Sequence, residues 1–551
     1  MINVESDAPP SDTDEKSCVV VNRAPQTPSD PLPSADGAAA LAFRETQRFR
    51  VFRRHARDLY QLVTHLETPW PTLTVQFMPY IRRTAQPDFF EQLVITGSHT
   101  AGAEQNYLKV VSMVLPSSLA AAVADGDDLY DKDVGDFGGF GRTTTDIRCR
   151  VSKRAYHNGS VLKARYMPHN PNVIATTSDD GSVYLFDLSR IGETRPPNNP
   201  PRPLLPLFVE GDGEQATDDA DAADVGVSAK QRSHREARRN SFYEAFHKQG
   251  RWDNETGAGQ HDVTLIGREE LSATESGASI STHRQNAWSL DWSTERSGYL
   301  ASGDRGGTIR VWDVATLSRD GPRAPSSNSR VHGDFQSFHM KEGSLSGGCN
   351  DVKWSRSQPH GIAAASASSD QPVAMFDCRA GGSAVWSCRL PNGATASCLD
   401  WSLVHEHIIA VGSTAGEVCI VDVRQSPGGA KEEEEAVVVR RLATHDASEE
   451  VTSVAWCPFS ASRLASGGQR GDVVLSDVGG DGDGLAGSDA AAPAAPSTTT
   501  TGPPLARRFV HTGHTGCITD LGWNWQDCWA GSLLSSDDTA ICMWRPRNRF
   551  W

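Results

Sequence analysis

The chain has 551 residues and a formal net charge of −16, with 53 Lys and Arg against 69 Asp and Glu. A chain this long can bury a large core, and a surface acidic overall suits basic protein partners and excludes a nucleic-acid glove. Eleven cysteines, scattered singly with no CxxC pair, point to buried thiols in a reducing compartment and away from a disulfide framework or a zinc site.

No apolar run approaches the roughly 18 residues of a membrane span, and the N-terminus is polar and acidic. A soluble, unsecreted protein is expected, in which the sequons at Asn158 and Asn254 carry no weight. Residues 1–40, rich in Pro, Ser, Asp and Ala without periodicity, are expected to be disordered. Residues 41–67 are predicted as an amphipathic helix. Phe49, Phe52, Ala56, Leu59, Val63 and Leu66 recur at steps of three and four, arginines cover the rest, and Thr68-Pro69 ends the run.

Residues 68–551 read as repeats. Trp70 to Leu115 carries three strands, in WPTLTVQFMP, QLVITGS and YLKVVSMVL. An Asp/Gly-rich loop ending FGGFG (Phe137 to Gly141) follows. The repeat is clearest from Trp292 to Asp313, where a small-residue strand, a Gly/Asp turn and the alternating TIRVWD follow one another. The same ruler of about 20 to 22 residues runs from Tyr166 to Phe186-Asp187, Trp354 to Phe376-Asp377, Trp401 to Val421-Asp422, Trp456 to Ser476-Asp477 and Trp523 to Trp544. Modules of about 40–45 residues closed by Trp-Asp are the signature of β-propeller blades. The fold class is therefore all-β, a seven-bladed WD-repeat propeller with an N-terminal helix and long insertions. His157, His283, His445 and His514 precede the closing Asp or Trp by about 30 residues and are read as structural.

Insertions are expected at about 192–280, 425–437 and 479–508. The first turns acidic (Glu210 to Asp224) and then basic (Lys230 to Arg239), and the basic run is a candidate nuclear-import patch. The second carries Glu432 to Glu435. The third passes through Asp481, Asp483 and Gly502-Pro503-Pro504. All follow third strands, so they should crowd one face, opposite the Gly/Asp turns.

Catalytic signatures are missing: no GxxxxGK[ST], HExxH or GxSxG occurs. His405-Glu406-His407 falls in a polar loop, and Gly480 to Gly484 lacks the later acids of a calcium loop. A binding scaffold, not an enzyme, with no cofactor and no metal, is the reading that remains.

Five stretches then carry a resemblance: LYQLVTHLETPWPTLTVQFMP from Leu59, GSHTAGAEQNYLKVVSMVLP from Gly97, YDKDVGDFGGFG from Tyr130, VLKARYMPHNPNVIATT from Val161 and FVHTGHTGCITDLGWN from Phe509. Through them the chain resembles the histone-binding WD-repeat subunits of chromatin assembly, deacetylase, remodelling and Polycomb complexes, also called retinoblastoma-binding proteins. The resemblance implies a nuclear protein, with some cytoplasmic presence, that is monomeric within a larger complex. Its implied partners are core histones and chromatin-complex subunits, with no direct nucleic-acid readout and no membrane.

It also implies two sites. A side groove would receive a histone helix between the N-terminal helix and a last-blade proline loop, using Leu59, Leu62, Asp481, Asp483, Gly502, Pro503, Pro504, Phe509 and Val510. A channel mouth would grip a basic peptide through Ser160, Leu162, Asn286, Trp288, Asn350, Thr395, Glu450, Thr452 and Asp537. This chain departs from the family at both. Asp58 replaces an aromatic, Arg507 and Arg508 replace apolar residues, and Thr498 to Thr501 replace the acids before the prolines. Most of the acids at the channel mouth are neutral here, so an altered peptide specificity is expected. Two alternatives remain. One is a substrate receptor of a cullin-type ubiquitin ligase, through the Asp-x-Arg ends at Arg379 and Arg424; the other is a ribosome-assembly propeller.

Overall fold

The computed structural model describes residues 47–84, 89–116, 130–131, 136–137, 149–189, 191–192, 263–266, 283, 286–314, 330–333, 336–340, 348–380, 382–425, 438–479 and 507–548. Their strands form seven separate sheets, each built on four antiparallel strands, which follow sequence order in six of them. This is a seven-bladed propeller. Blade 1 uses Val75–Arg83, Phe89–Gly97, Asn106–Pro116 and Cys149–His157. Blade 2 opens with Val161–Met167, Asn170–Ser178 and Val183–Asp187, and blade 3 with Ala287–Trp292, Tyr299–Asp304 and Thr308–Asp313. Blades 4, 5 and 6 begin at Cys349–Trp354, Ala396–Trp401 and Val451–Trp456.

Blade 7 closes the ring with chain from both ends. It joins Asp520–Trp523, Leu533–Ser536 and Ala540–Pro546 to Tyr60–Glu67 as the fourth strand, beyond which Asp136–Phe137 and Tyr130–Asp131 continue the sheet. The pairing runs from Glu67 against Ala540 to Tyr60 against Pro546. The expected helix over 41–67 is thereby corrected: α1 spans only Gln47–Leu59, and residues 60–67 are strand. A strand buried on both faces can imitate helical spacing. Tyr60 and Val63 enter the core between blades 6 and 7, whereas Leu62 and Leu66 enter the one between blades 7 and 1. An irregularity between Tyr60 and Leu62 brings Tyr60 to the side of Val63.

The insertion limits are corrected too. Val263–Ile266, inside the expected 192–280 insertion, is the fourth strand of blade 2, and Arg330–Gly333 adds a parallel fifth. Arg507 and Arg508, at the end of the expected 479–508 insertion, start the fourth strand of blade 6. The tail over 1–40 and the Lys230 to Arg239 patch lie outside the described residues.

First strands line the channel, and most blades are tied to the next by side chains reaching across. Asp520 Oδ2 accepts the Val75 amide at 2.9 Å, Thr74 Oγ1 the Ala164 amide at 3.0 Å, and Asp291 Oδ2 the Trp354 amide at 2.8 Å. Asp351 and Asp400 accept the Leu399 and Trp456 amides in the same way. Trp292 and Trp523 donate their indole N–H to Arg165 O and Ala455 O. These bonds satisfy buried inner-strand polar groups while fixing blade order around the axis.

The four histidines sit at blade junctions, each bonded to the second strand of the following blade. His157, His283, His445 and His514 reach Thr176, Ser302, Ser466 and Ser535 at 2.9, 2.6, 3.0 and 2.6 Å. In blade 7 the relay is longest, because Trp544 also donates to Ser535 Oγ at 3.0 Å and Asp537 stands 3.2 Å from His514 Nδ1.

Candidate functional site

Helix α1 lies against the corner where blades 6 and 7 meet. Phe49, Phe52 and Ala56, on one stripe, are buried in a single cluster with Tyr60, Phe509, Ile518, Leu521, Trp523 and Trp544. The rings set its geometry. His511 stacks on Trp544 at 4.4 Å and 8°, Tyr60 meets Phe509 edge-on at 5.1 Å, and Phe52 meets His511 edge-on at 5.7 Å. Tyr60 Oη lies 2.8 Å from His511 Nδ1, and burial raises the Tyr60 phenol well above its ordinary value. A Cβ at Gly513 would stand 2.7 Å from the His511 ring and 3.0 Å from Phe52, so the helix approaches this closely only over glycine. The C-terminal carbonyls of α1 are capped by the last blade: the Arg547 amide donates to Leu59 O at 2.8 Å and its guanidinium to Arg57 O at 2.7 Å.

The outer side of this corner presents Val51, which is 52% exposed, and Leu59, packed at the cluster's edge. Val510, half-buried on the fourth strand of blade 6, faces the opposite side of that strand from Phe509. Of the expected groove residues, Leu59 and Phe509, without Val510, are thus brought together. Leu62 is not. It is fully buried between blades 7 and 1, because its strand closes the ring. Asp481, Asp483, Gly502, Pro503 and Pro504 lie outside the described residues. The exposed Arg508 is held by Asp477, Nη2 to Oδ2 at 2.9 Å, which offsets the repulsion expected toward a basic helix.

The channel holds a cavity of about 610 Å³. Leu162, Trp288, Asn350, Glu450 and Thr452 line it, as expected. Asp537 does not. Its fully buried carboxylate accepts the amides of Thr515, Gly516, Thr539 and Ala540, where one relay acid must satisfy a whole turn. Burial alone would raise its pKa, but His514 and these amides hold it below the usual carboxylate range. Ser160 is also buried, its amide bonded to Asp179, and Thr395 is paired with Thr414 outside the cavity lining. Asn286 is exposed and accepts the Arg305 amide.

Arg305 is the residue that sequence reading missed. It comes from the Asp304 to Gly307 hairpin, and its guanidinium lies 4.8 Å over Trp288. Burial raises the Glu450 carboxyl and the Arg305 charge opposes that shift. Its signal was available, since hairpins between second and third strands reach the channel's rim. Deeper, Asp520 bonds both Lys163 and Arg165, at 3.0 and 2.9 Å; against the effect of burial, these cations hold its pKa at about 2.

Comparison with known proteins follows this geometry. The family model of histone-binding protein RBBP4, which also describes the equivalent component of the CAF1 complex, matches residues 47–117, which are α1, the closing strand and three strands of blade 1. The WD domain, G-beta repeat model matches residues 150–187 and 275–313. The chain is a WD-repeat propeller whose residues 47–117 match that histone-binding model. Similar curated proteins carry the name histone acetyltransferase type B subunit 2. The one from Aspergillus fumigatus is 25% identical over 314 residues, 55% of this chain and 54% of that protein. The one from Debaryomyces hansenii is 21% identical over 510 residues, 92% of each chain. In Neurospora crassa the identity is 30% over 178 residues, 31% of this chain and 39% of the relative. The chain thus aligns with about half the length of the Aspergillus relative. The RBBP4-type stretch coincides with the corner at blades 6 and 7 and with the strand that closes the ring.

The two Asp-x-Arg ends fold back on themselves. Arg379 meets Asp377 at 2.6 Å and Arg424 meets Asp422 at 2.7 Å. The hydrogen bonds from Arg379 hold the Asp377 carboxyl at about 2.

Proposed function

We propose that this protein is a non-catalytic, histone-binding scaffold subunit of a chromatin complex, holding a histone helix along α1. The observation that carries the reading is that the stretch matching the RBBP4 model begins with α1, which at this corner leaves Val51 exposed and Leu59 half-buried. An amphipathic helix laid there would bury its apolar face on them, while its basic residues meet the acidic surface of the chain. The relatives' name, histone acetyltransferase type B subunit 2, supports a histone-modifying or assembly complex in the nucleus, with core histones and other chromatin-complex subunits as partners. The channel mouth is read as altered. Arg305 over Trp288 occupies the position in which a basic peptide's own cation would stack, so an unmodified histone tail should bind there weakly.

Calorimetric titration with a peptide of the first helix of a core histone tests the reading. The expected result is binding that Val51→Asp weakens at least tenfold with the melting temperature unchanged, and that Leu59→Asp weakens as well. Full affinity in both variants would remove the helix from this corner. Low-micromolar binding of a histone tail peptide to the channel, unchanged by Arg305→Glu, would overturn the account of the mouth.

A further inference from the structure

Nine large apolar side chains are exposed among the described residues, and six of them (Tyr80, Ile81, Leu403, Val404, Phe459 and Trp525) cluster on one face. They stand at or just past the outward ends of the first strands of blades 5, 6, 7 and 1, which are consecutive around the ring. Gln526 Nε2 donates to Pro79 O at 2.6 Å, which ties the Trp525 loop to the Tyr80 end of blade 1. Leu403 and Trp525 also line the channel cavity, together with Arg356. Buried Arg356 Nε has no hydrogen-bond partner. The neighbouring Asp400 is engaged by the Trp456 amide and sits above its ordinary pKa because it is buried. An apolar crescent beside a guanidinium whose Nε lacks a partner fits an apolar segment that carries acids.

The same face releases the longest connection of the chain. The end of the third strand of blade 2, through Gly192, leads into residues 193–262 before the chain returns at Val263. That connection contains LLPLFVEGDGE, in which Leu204, Leu205, Leu207, Phe208 and Val209 precede Glu210, Asp212 and Glu214. Sixteen residues separate Gly192 from Phe208, a reach of up to roughly 50 Å when extended. The width of a four-stranded blade is only about 15 Å. We propose that Leu204 to Glu214 docks on this face, its apolar half on Trp525, Leu403 and Tyr80 and its carboxylates toward Arg356. Tethering raises the segment's effective concentration at the crescent, so even a weak contact is populated. The site is separate from the α1 corner, so histone-helix binding stands or falls independently of it.

The test uses the full chain with residues 203–214 replaced by a Gly/Ser run of equal length. The probe is a fluorescently labelled peptide of residues 203–214, read by anisotropy. The peptide is expected to bind this variant, to bind the unaltered chain at least tenfold more weakly, and to lose at least tenfold with Trp525→Asp or Arg356→Glu added. Trp525 is exposed, so the variant keeps its fold, which an unchanged melting temperature verifies. No binding, or binding indifferent to Trp525→Asp, would overturn the proposal. Equal, Trp525-dependent binding to both chains would also overturn it, by making the crescent a site for a partner instead of the chain's own segment.

Discussion

The corner at α1 and the wall of the channel are held by opposite physics. At the corner, Phe49, Phe52, Tyr60, Phe509, His511 and Trp544 form a dry aromatic stack with one internal hydrogen bond, Tyr60 to His511. Along the channel, Lys163, Arg165, Lys353, Asp291, Asp351, Asp400 and Asp520 sit largely desolvated and depend on partners from other blades. The corner tolerates loss of charge and fails through lost volume. The wall tolerates little change of charge, since removing one member strands another. A binding surface built on the first can change its outer residues freely, whereas one built on the second is tied to the stability of the ring.

The largest effects should come from breaking either side at its centre. Tyr60→Ala removes a fully buried ring from the closing strand and should cost about 3–5 kcal/mol, read as a large fall in melting temperature. Asp520→Ala leaves Lys163 and Arg165 facing each other without their acid and should cost a similar amount, about 3–5 kcal/mol. The second carries an acid-pH signature. The Asp520 carboxyl is held at about 2 in the fold, below an unfolded value of about 3.9, so its contribution is fully present above the unfolded value. It is lost as pH falls from about 4 toward 2. Thermal melts across that range should show a wild-type slope that Asp520→Asn flattens; parallel slopes would mean that the pair does not set acid stability.

A smaller effect is expected from His514→Ala, about 1–3 kcal/mol, because Ser535 and the buried Asp537 each lose a partner while the amides around Asp537 remain. Denaturant unfolding of that variant beside Tyr60→Ala would rank the relay against the aromatic stack. The smallest belongs to Arg379→Ala, since its pair with Asp377 is exposed; melting should not change. Copurification of a ligase adaptor that disappears in this variant would instead favour the ubiquitin-ligase reading.

The ring was legible from the ruler of Trp, turn and Trp-Asp, because alternation and hairpin chemistry are local. The structural role of the four histidines was legible for the same reason, although each bonds across a blade junction and not within one blade. The candidate site was legible in part. Leu59 and Phe509 come together, as do Leu162, Trp288, Asn350, Glu450 and Thr452 along the channel. Leu62 and Asp537 were misplaced, and Arg305 was missed.

What the sequence determined alone was every element whose stabilising contacts lie within one repeat: strand periods, tight turns and the small residues between them. The end of α1 at Leu59, the conversion of residues 60–67 to strand and the inward turn of Leu62 were decided only in three dimensions. Their partners lie nearly five hundred residues away, in Ala540–Pro546. A segment buried on two sides has no local reason to prefer one backbone over another. The open hydrogen-bonding edge of the last blade chose for it.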